Sequence, residues 1–151
     1  MKQTIRTQEI IRAYEMLGRA RFTTLADGDK IQVWKIARAL KPAAMKIVDA
    51  RNDAIRQFVP EDMQKRLAIA TKFENDLKAG LKTDITIDEY NNIIDDADSS
   101  NELVCKALEE TLPSEMEVEF DSISDDAFAL LTAENGWTIQ TAMTLEFICN
   151  K

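Results

Sequence analysis

At 151 residues, 45% hydrophobic and 30% charged, the chain is long enough to bury a core without disulfides and has an ordinary globular composition. It contains no histidine, which excludes Ser-His and Cys-His nucleophile pairs, imidazole acid–base catalysis and His-ligated metal. The net charge is −8, but residues 1–82 carry 17 Lys and Arg against 10 acids, and residues 83–151 carry 2 against 17.

Four glycines and three prolines are too few for the many tight turns of an all-β domain. No apolar run approaches the roughly 18 residues of a membrane span, and the N-terminal MKQTIRTQEIIRAYEM lacks the apolar core of a signal peptide. Cys105 and Cys149 each lie in an apolar helical pattern and are expected to be buried, reduced thiols. The expected location is cytoplasmic.

Thr7, followed by Ile10, Ile11, Tyr14 and Leu17, predicts a first helix capped by Thr7 and ending near Gly18. Arg21–Leu25 reads as a connection holding a short extended piece, and Asp27-Gly28-Asp29 as a turn. From Asp29 to Val59 runs the stretch around which the chain is organised. Val33, Ala37, Leu40, Ala44 and Ile47 recur at steps of four and three, with Ile55 and Phe58 resuming the stripe. Such a helix is about 45 Å long. Pro42 interrupts its ladder, and a kink is expected in preference to a break.

Val59-Pro60-Glu61-Asp62 reads as a restart with Pro60 at the first helical position. Met63, Leu67, Ala70, Phe73 and Leu77 mark the inner face of a third helix stopped at Gly80. Thr86 or Asp88 caps a fourth, whose apolar positions run from Tyr90 to Leu108. Its middle, Asp95–Asn101, is rich in turn formers, so a break and continuity are equally expected there.

Glu115–Phe120, EMEVEF, alternates acid and apolar residues and is the best strand signal. Its partner is Lys2–Arg6, Arg21–Leu25 or Lys82–Ile85. Ser124 caps a short helix closed by Asn135-Gly136, and Thr138 opens a last one. The expected fold is mainly α (α+β): a single domain over 1–151 around a long kinked helix, with a small antiparallel sheet.

No motif carries a reaction. Counted as a calcium loop from Asp96, the sixth position is Asn101 where glycine is needed and the twelfth is Ala107 where a bidentate Glu is needed. The pairs Glu109-Glu110 and Asp125-Asp126 have no fixed spacing for a two-carboxylate site. No catalytic residue, metal site or cofactor is therefore expected, and a carboxylate-metal hydrolase is the least supported reading. The cations of the long helix, Lys30, Lys35, Arg38, Lys41, Lys46, Arg51 and Arg56, read as its polar side. An acidic protein is a poor nucleic-acid binder. Trp34 reads as core, whereas Trp137, at a turn, reads as an anchor for a partner. Glu115, Glu117 and Glu119 share one outward strand face and form the candidate docking surface for a basic protein partner. A homo-oligomer is the other arrangement compatible with the pattern.

Three pieces resemble one protein family. The first is AYEMLGRARFTTLADGDKIQVWKIARALKPAAMKI, with its L-x-x-x-D turn ahead of a basic helix carrying R-A-L-K-P. The second is EMEVEFDSISDDAFALL, a strand followed by I-S-x-x-x-F-x-x-L; the third is the closing WTIQTAMTLEFI. They resemble small uncharacterised proteins of tailed bacteriophages and prophages. The resemblance implies a phage or prophage setting and an interaction or assembly role, with no catalytic residues. The expected function is thus a non-enzymatic accessory or assembly protein that docks a partner through its acidic second half. The alternative is a DNA-mimic inhibitor of a nucleic-acid enzyme.

Overall fold

A computed structural model describes residues 1–149. In chain order the elements are β1 (Lys2–Arg6), α1 (Thr7–Arg19), α2 (Asp27–Phe58), α3 (Met63–Lys78), α4 (Ile87–Thr111), β2 (Glu115–Glu119), α5 (Asp125–Asn135) and α6 (Ile139–Leu145), followed by a 3-10 turn at Glu146–Ile148. The protein is mainly α, with one long helix and one small antiparallel sheet. It divides into two compact units: residues 1–48 with 112–151, and Asp49–Thr111. Helix α2 supplies residues to both.

The first unit is closed by its sheet. β1 pairs antiparallel with β2 from Lys2↔Glu119 to Arg6↔Glu115, so the strand predicted at Glu115 takes the N-terminal segment as its partner. Alternation then sends Met116, Val118 and Phe120 inward with Ile5 opposite. The other two candidate partners are not strands: Lys82–Ile85 is loop, and Arg21–Leu25 is a turn held by α5. There the Glu134 carboxylate accepts the Thr23 and Thr24 backbone N–H groups at 3.0 and 3.2 Å, and both hydroxyls. Asn135 closes the same loop, accepting the Arg21 N–H and donating to the Arg21 carbonyl, each at 2.7 Å.

Thr7 does not cap α1. Arg6 occupies the cap position, and Thr7 is buried, its hydroxyl donating to the Pro113 carbonyl at 2.5 Å and its N–H to Ser114 at 3.0 Å. Thr7 is already the first helical residue, because Arg6 at the end of β1 holds the extended cap conformation, and its side chain is turned inward to the segment before β2. Local signals hold further on. Ser124 accepts the Ala127 N–H and Thr138 accepts the Thr141 N–H, while Gly136 ends α5 in the left-handed region at φ 61°. The core of this unit is built from Ile10, Ile36, Leu40, Leu131, Leu145 and Ile148, all fully buried.

Helix α2 runs unbroken through Pro42, which is exposed. The missing N–H costs the ladder one bond at the Arg38 carbonyl, and both Arg38 and Pro42 lie on the exposed side of the helix. The stripe Val33, Leu40, Ala44 and Ile47 is buried as its spacing predicts. It does not resume at Ile55, which is 41% exposed; Ala54 is buried in its place. The helix packs in the second unit over those last turns, and the buried face shifts by one residue.

In the second unit, α3 and α4 form the main contact. Pro60 precedes α3 instead of starting it, its carbonyl accepting the Met63 N–H. Met63, Ala70 and Phe73 are buried, but Leu67 and Leu77 of the predicted inner face are exposed. Thr86 caps α4 through the Glu89 N–H. α4 is continuous through Asp95–Asn101, with Ser100 turned inward beside Ile93 and Val104. Leu103 lies outside. Phe73 stacks on Tyr90 at 4.7 Å between ring centroids, and Arg66 pairs with Asp96 at 2.6 Å.

Candidate interaction surfaces

Folding redistributes the charge that the sequence splits into halves. The first unit gathers both ends of the chain and carries eleven Lys and Arg against twelve Asp and Glu. The second carries eight against fifteen, so most of the net −8 belongs to it.

The strand acids illustrate the first case. Glu115, Glu117 and Glu119 are all exposed on one face. Arg6 stands directly across from Glu115 and Lys2 across from Glu119, with Thr4 facing Glu117. Opposite charges in cross-strand register attract, so β1 supplies much of the positive charge that this face was expected to seek in a partner. Trp137 is half-buried and packs against the first unit's core, and its backbone N–H donates to the Thr132 carbonyl at 3.2 Å.

The second case is α4. Asp88, Asp95, Glu102 and Glu109 recur every seventh residue, all exposed, which sets them in a nearly straight row about 10 Å apart. Asp98 stands beside them. Among the described residues none of the five is in an ion pair, although Lys106 stands on the same face, four residues after Glu102 and three before Glu109. Asp96, on another face of the same helix, is held by Arg66. The seven-residue spacing was visible in the sequence, but it falls across the segment that read as a helix-breaking turn. The same continuity removes the calcium-loop geometry, since Asp96–Ala107 is helix throughout. Among the described residues no group of three acidic or cysteine side chains is placed to hold a metal ion.

Trp34 is not core. It is 55% exposed on α2, with Ile31 at 54% beside it and the Arg38 guanidinium 5.3 Å from its ring centroid. Its position one step before Lys35 places it on the polar side of the helix, and Val33 and Ile36 take the buried face. Lys35, Arg38, Lys41 and Lys46 line this outer face. Among the described residues none of them pairs with an acid.

The cysteines are both free. Cys105 is exposed on α4, contrary to the expected burial, because the inner face of that helix is taken by Ile93, Ser100 and Val104. Cys149 is half-buried; burial, with the nearby Asp125 and Glu146, pushes its thiol up to about 11, so it stays protonated and unreactive at neutral pH. A groove of about 420 Å³ between α1 and α6 is lined by Arg12, Glu15, Arg19, Gln140, Thr141 and Thr144. Its charges alternate in sign along α1, so it presents no single field to an ion.

No helix among the described residues is long and apolar enough to cross a membrane. Comparison with protein-family models, with curated proteins and with solved structures finds no match to this chain.

Proposed function

We propose that this chain is a non-enzymatic interaction protein, an accessory or assembly factor of a phage or prophage acting in the cytoplasm, which docks a basic protein partner through its acidic second half. The setting rests on the resemblance of its three segments to small phage and prophage proteins. The docking role rests on one observation: the row Asp88, Asp95, Glu102 and Glu109 stands exposed on α4 without an ion pair among the described residues. Exposed and about 10 Å apart, the four carboxylates repel one another only weakly at physiological salt, with Lys106 between two of them. An approaching basic surface relieves that repulsion and is steered by the field. Glu115, Glu117 and Glu119 contribute a weaker field, because Lys2 and Arg6 face them.

The test is co-purification of the tagged chain from its host, at low and high salt, with two reversal variants. Asp95→Lys/Glu102→Lys/Glu109→Lys abolishes partner recovery, and Glu115→Lys/Glu117→Lys/Glu119→Lys reduces it less. Equal recovery with the α4 variant would defeat the reading. The straight carboxylate row also supports a second reading, mimicry of a nucleic-acid backbone. Salt-sensitive inhibition of a nuclease or polymerase, lost in the α4 variant, would replace the first reading with the second.

A further inference from the structure

The outer face of α2 presents a mixed ribbon. Ile31, Trp34 and Pro42 supply apolar surface, and Lys35, Arg38, Lys41 and Lys46 supply charge, over about 22 Å of helix. Tryptophan and arginine are among the residue types most enriched as interface anchors, and here Arg38 lies over the half-exposed Trp34 ring. The cations share their surface with no ion-paired acid among the described residues. A nucleic acid is the poorer occupant. The chain as a whole repels a polyanion at −8, and the ribbon offers one aromatic plane where strand-binding surfaces stack successive bases. Ile31 and Pro42 would gain nothing from phosphates.

The chemistry that matches the ribbon is an acidic helix with apolar flanks, and this chain contains one. On α4 the row Asp88, Asp95, Glu102 and Glu109 is flanked by the exposed Ile87 and Leu103, at 62% and 46%. We propose that the outer face of α2, centred on Trp34 and Arg38, binds the acidic face of α4 from a second copy of the chain. The proposal deepens the docking reading, on which it rests, by naming the basic partner of α4. In the contact Trp34 is covered by the apolar flank, and Lys35, Arg38, Lys41 and Lys46 face carboxylates. The two faces differ, so the contact is heterologous.

Sedimentation of the intact chain over a hundredfold concentration range, at low and high salt, tests this. The weight-average mass rises at least twofold at low salt and falls back at high salt, because exposed ion pairs are screened. Lys35→Glu/Arg38→Glu/Lys41→Glu alone stays at one chain's mass, and so does Asp95→Lys/Glu102→Lys/Glu109→Lys alone. Mixed together, the two variants recover association, since each retains one native face and the reversed faces are themselves complementary. Trp34→Ala weakens self-association about tenfold. Unchanged helical circular dichroism shows that each variant is folded, as expected for substitutions at exposed positions. A wild-type chain that stays monomeric throughout overturns the proposal, as does association that survives either reversal. Monomeric behaviour together with loss of host-partner recovery in the α4 variant leaves the docking reading standing and removes only the second copy. Tight binding of a labelled single-stranded oligonucleotide that depends on Lys35, Arg38 and Lys41 overturns it in favour of nucleic acid.

Discussion

The two units are built from the same kinds of helix but bury very different amounts of side chain. The first fills its interior with Ile10, Ile36, Leu40, Ile123, Leu131, Leu145 and Ile148, each at or below 2% exposure. The second relies on Ala54, Met63, Ala70, Phe73, Ile93, Ser100 and Val104, and leaves Leu67, Leu77, Leu81, Ile87 and Leu103 in solvent. Burial of apolar area is the main favourable term in folding. The contrast therefore places most of the stability in the first unit and most of the net acidic charge in the second, while both leave large apolar side chains in solvent, Trp34, Ile139 and Met143 in the first among them. The well-packed unit is close to neutral overall, and the thinly packed one carries most of the net charge.

Breaking the scaffold gives the largest effect. Leu40 is fully buried, so Leu40→Ala is expected to destabilise the first unit by about 2–5 kcal/mol through lost transfer energy and a cavity. Chemical denaturation, with hydrogen exchange in α1 and α5 as the local readout, measures it. At Gly136, φ of 61° admits a side chain only with strain although nothing crowds the site. Gly136→Ala is therefore expected to cost about 1–2 kcal/mol, read as a lowered midpoint at unchanged denaturant slope. In the second unit Ile93→Val removes one methylene from a thin core, about 0.5–1.5 kcal/mol. Its exchange is expected to accelerate in α3 and α4 and not in α1; equal acceleration in both units would erase the comparison.

The smallest effect is one of pH. Hydrogen bonds from the Thr23 hydroxyl first, and then from the backbone of Thr24 and Thr23, hold the Glu134 carboxyl below its ordinary range. A depressed folded pKa contributes stability above the unfolded value and loses it as pH falls through the folded one. Protection of the Thr23 and Thr24 amides is thus expected at neutral pH and to fade in acid below the usual carboxylate range. Glu134→Gln should remove that pH dependence, and persistence of it in the variant would show another group at work.

What could be read from the sequence was local. The caps at Ser124, Thr138 and Thr86, the left-handed stop at Gly136 and the EMEVEF alternation each need only neighbouring residues, and the structure has them all. The choice of Lys2–Arg6 as partner of Glu115–Glu119 joins segments more than a hundred residues apart, and no local pattern encodes that. With the pairing unknown, the charge of Glu115, Glu117 and Glu119 looked unmet. The difference at Thr7 has the same origin: the pairing of β1 extends the strand to Arg6, which takes the cap position, and turns Thr7 inward to Pro113, distant in sequence. Trp34 went wrong through composition. A tryptophan next to Val33 suggested core, yet its angular position set it among Lys35, Arg38 and Lys41 on the outer face. The seven-residue spacing of the α4 row is present in the sequence, but it has meaning only if the helix is continuous, and Asp95–Asn101 are weak helix formers. Packing of Ile93, Ser100 and Val104 overrode that propensity.

On α4 four acids share a face with the single cation Lys106, whereas the three acids of β2 face Lys2 and Arg6, so α4 is the stronger docking face for a basic partner. The most direct measurement is an amide chemical-shift titration of the intact chain with a synthetic Lys- and Arg-rich amphipathic helical peptide. The expected result is saturable shifts along Asp88–Glu109 that vanish with salt, and smaller changes at Glu115–Glu119. Shifts centred on β1 and β2, with α4 silent, would contradict it.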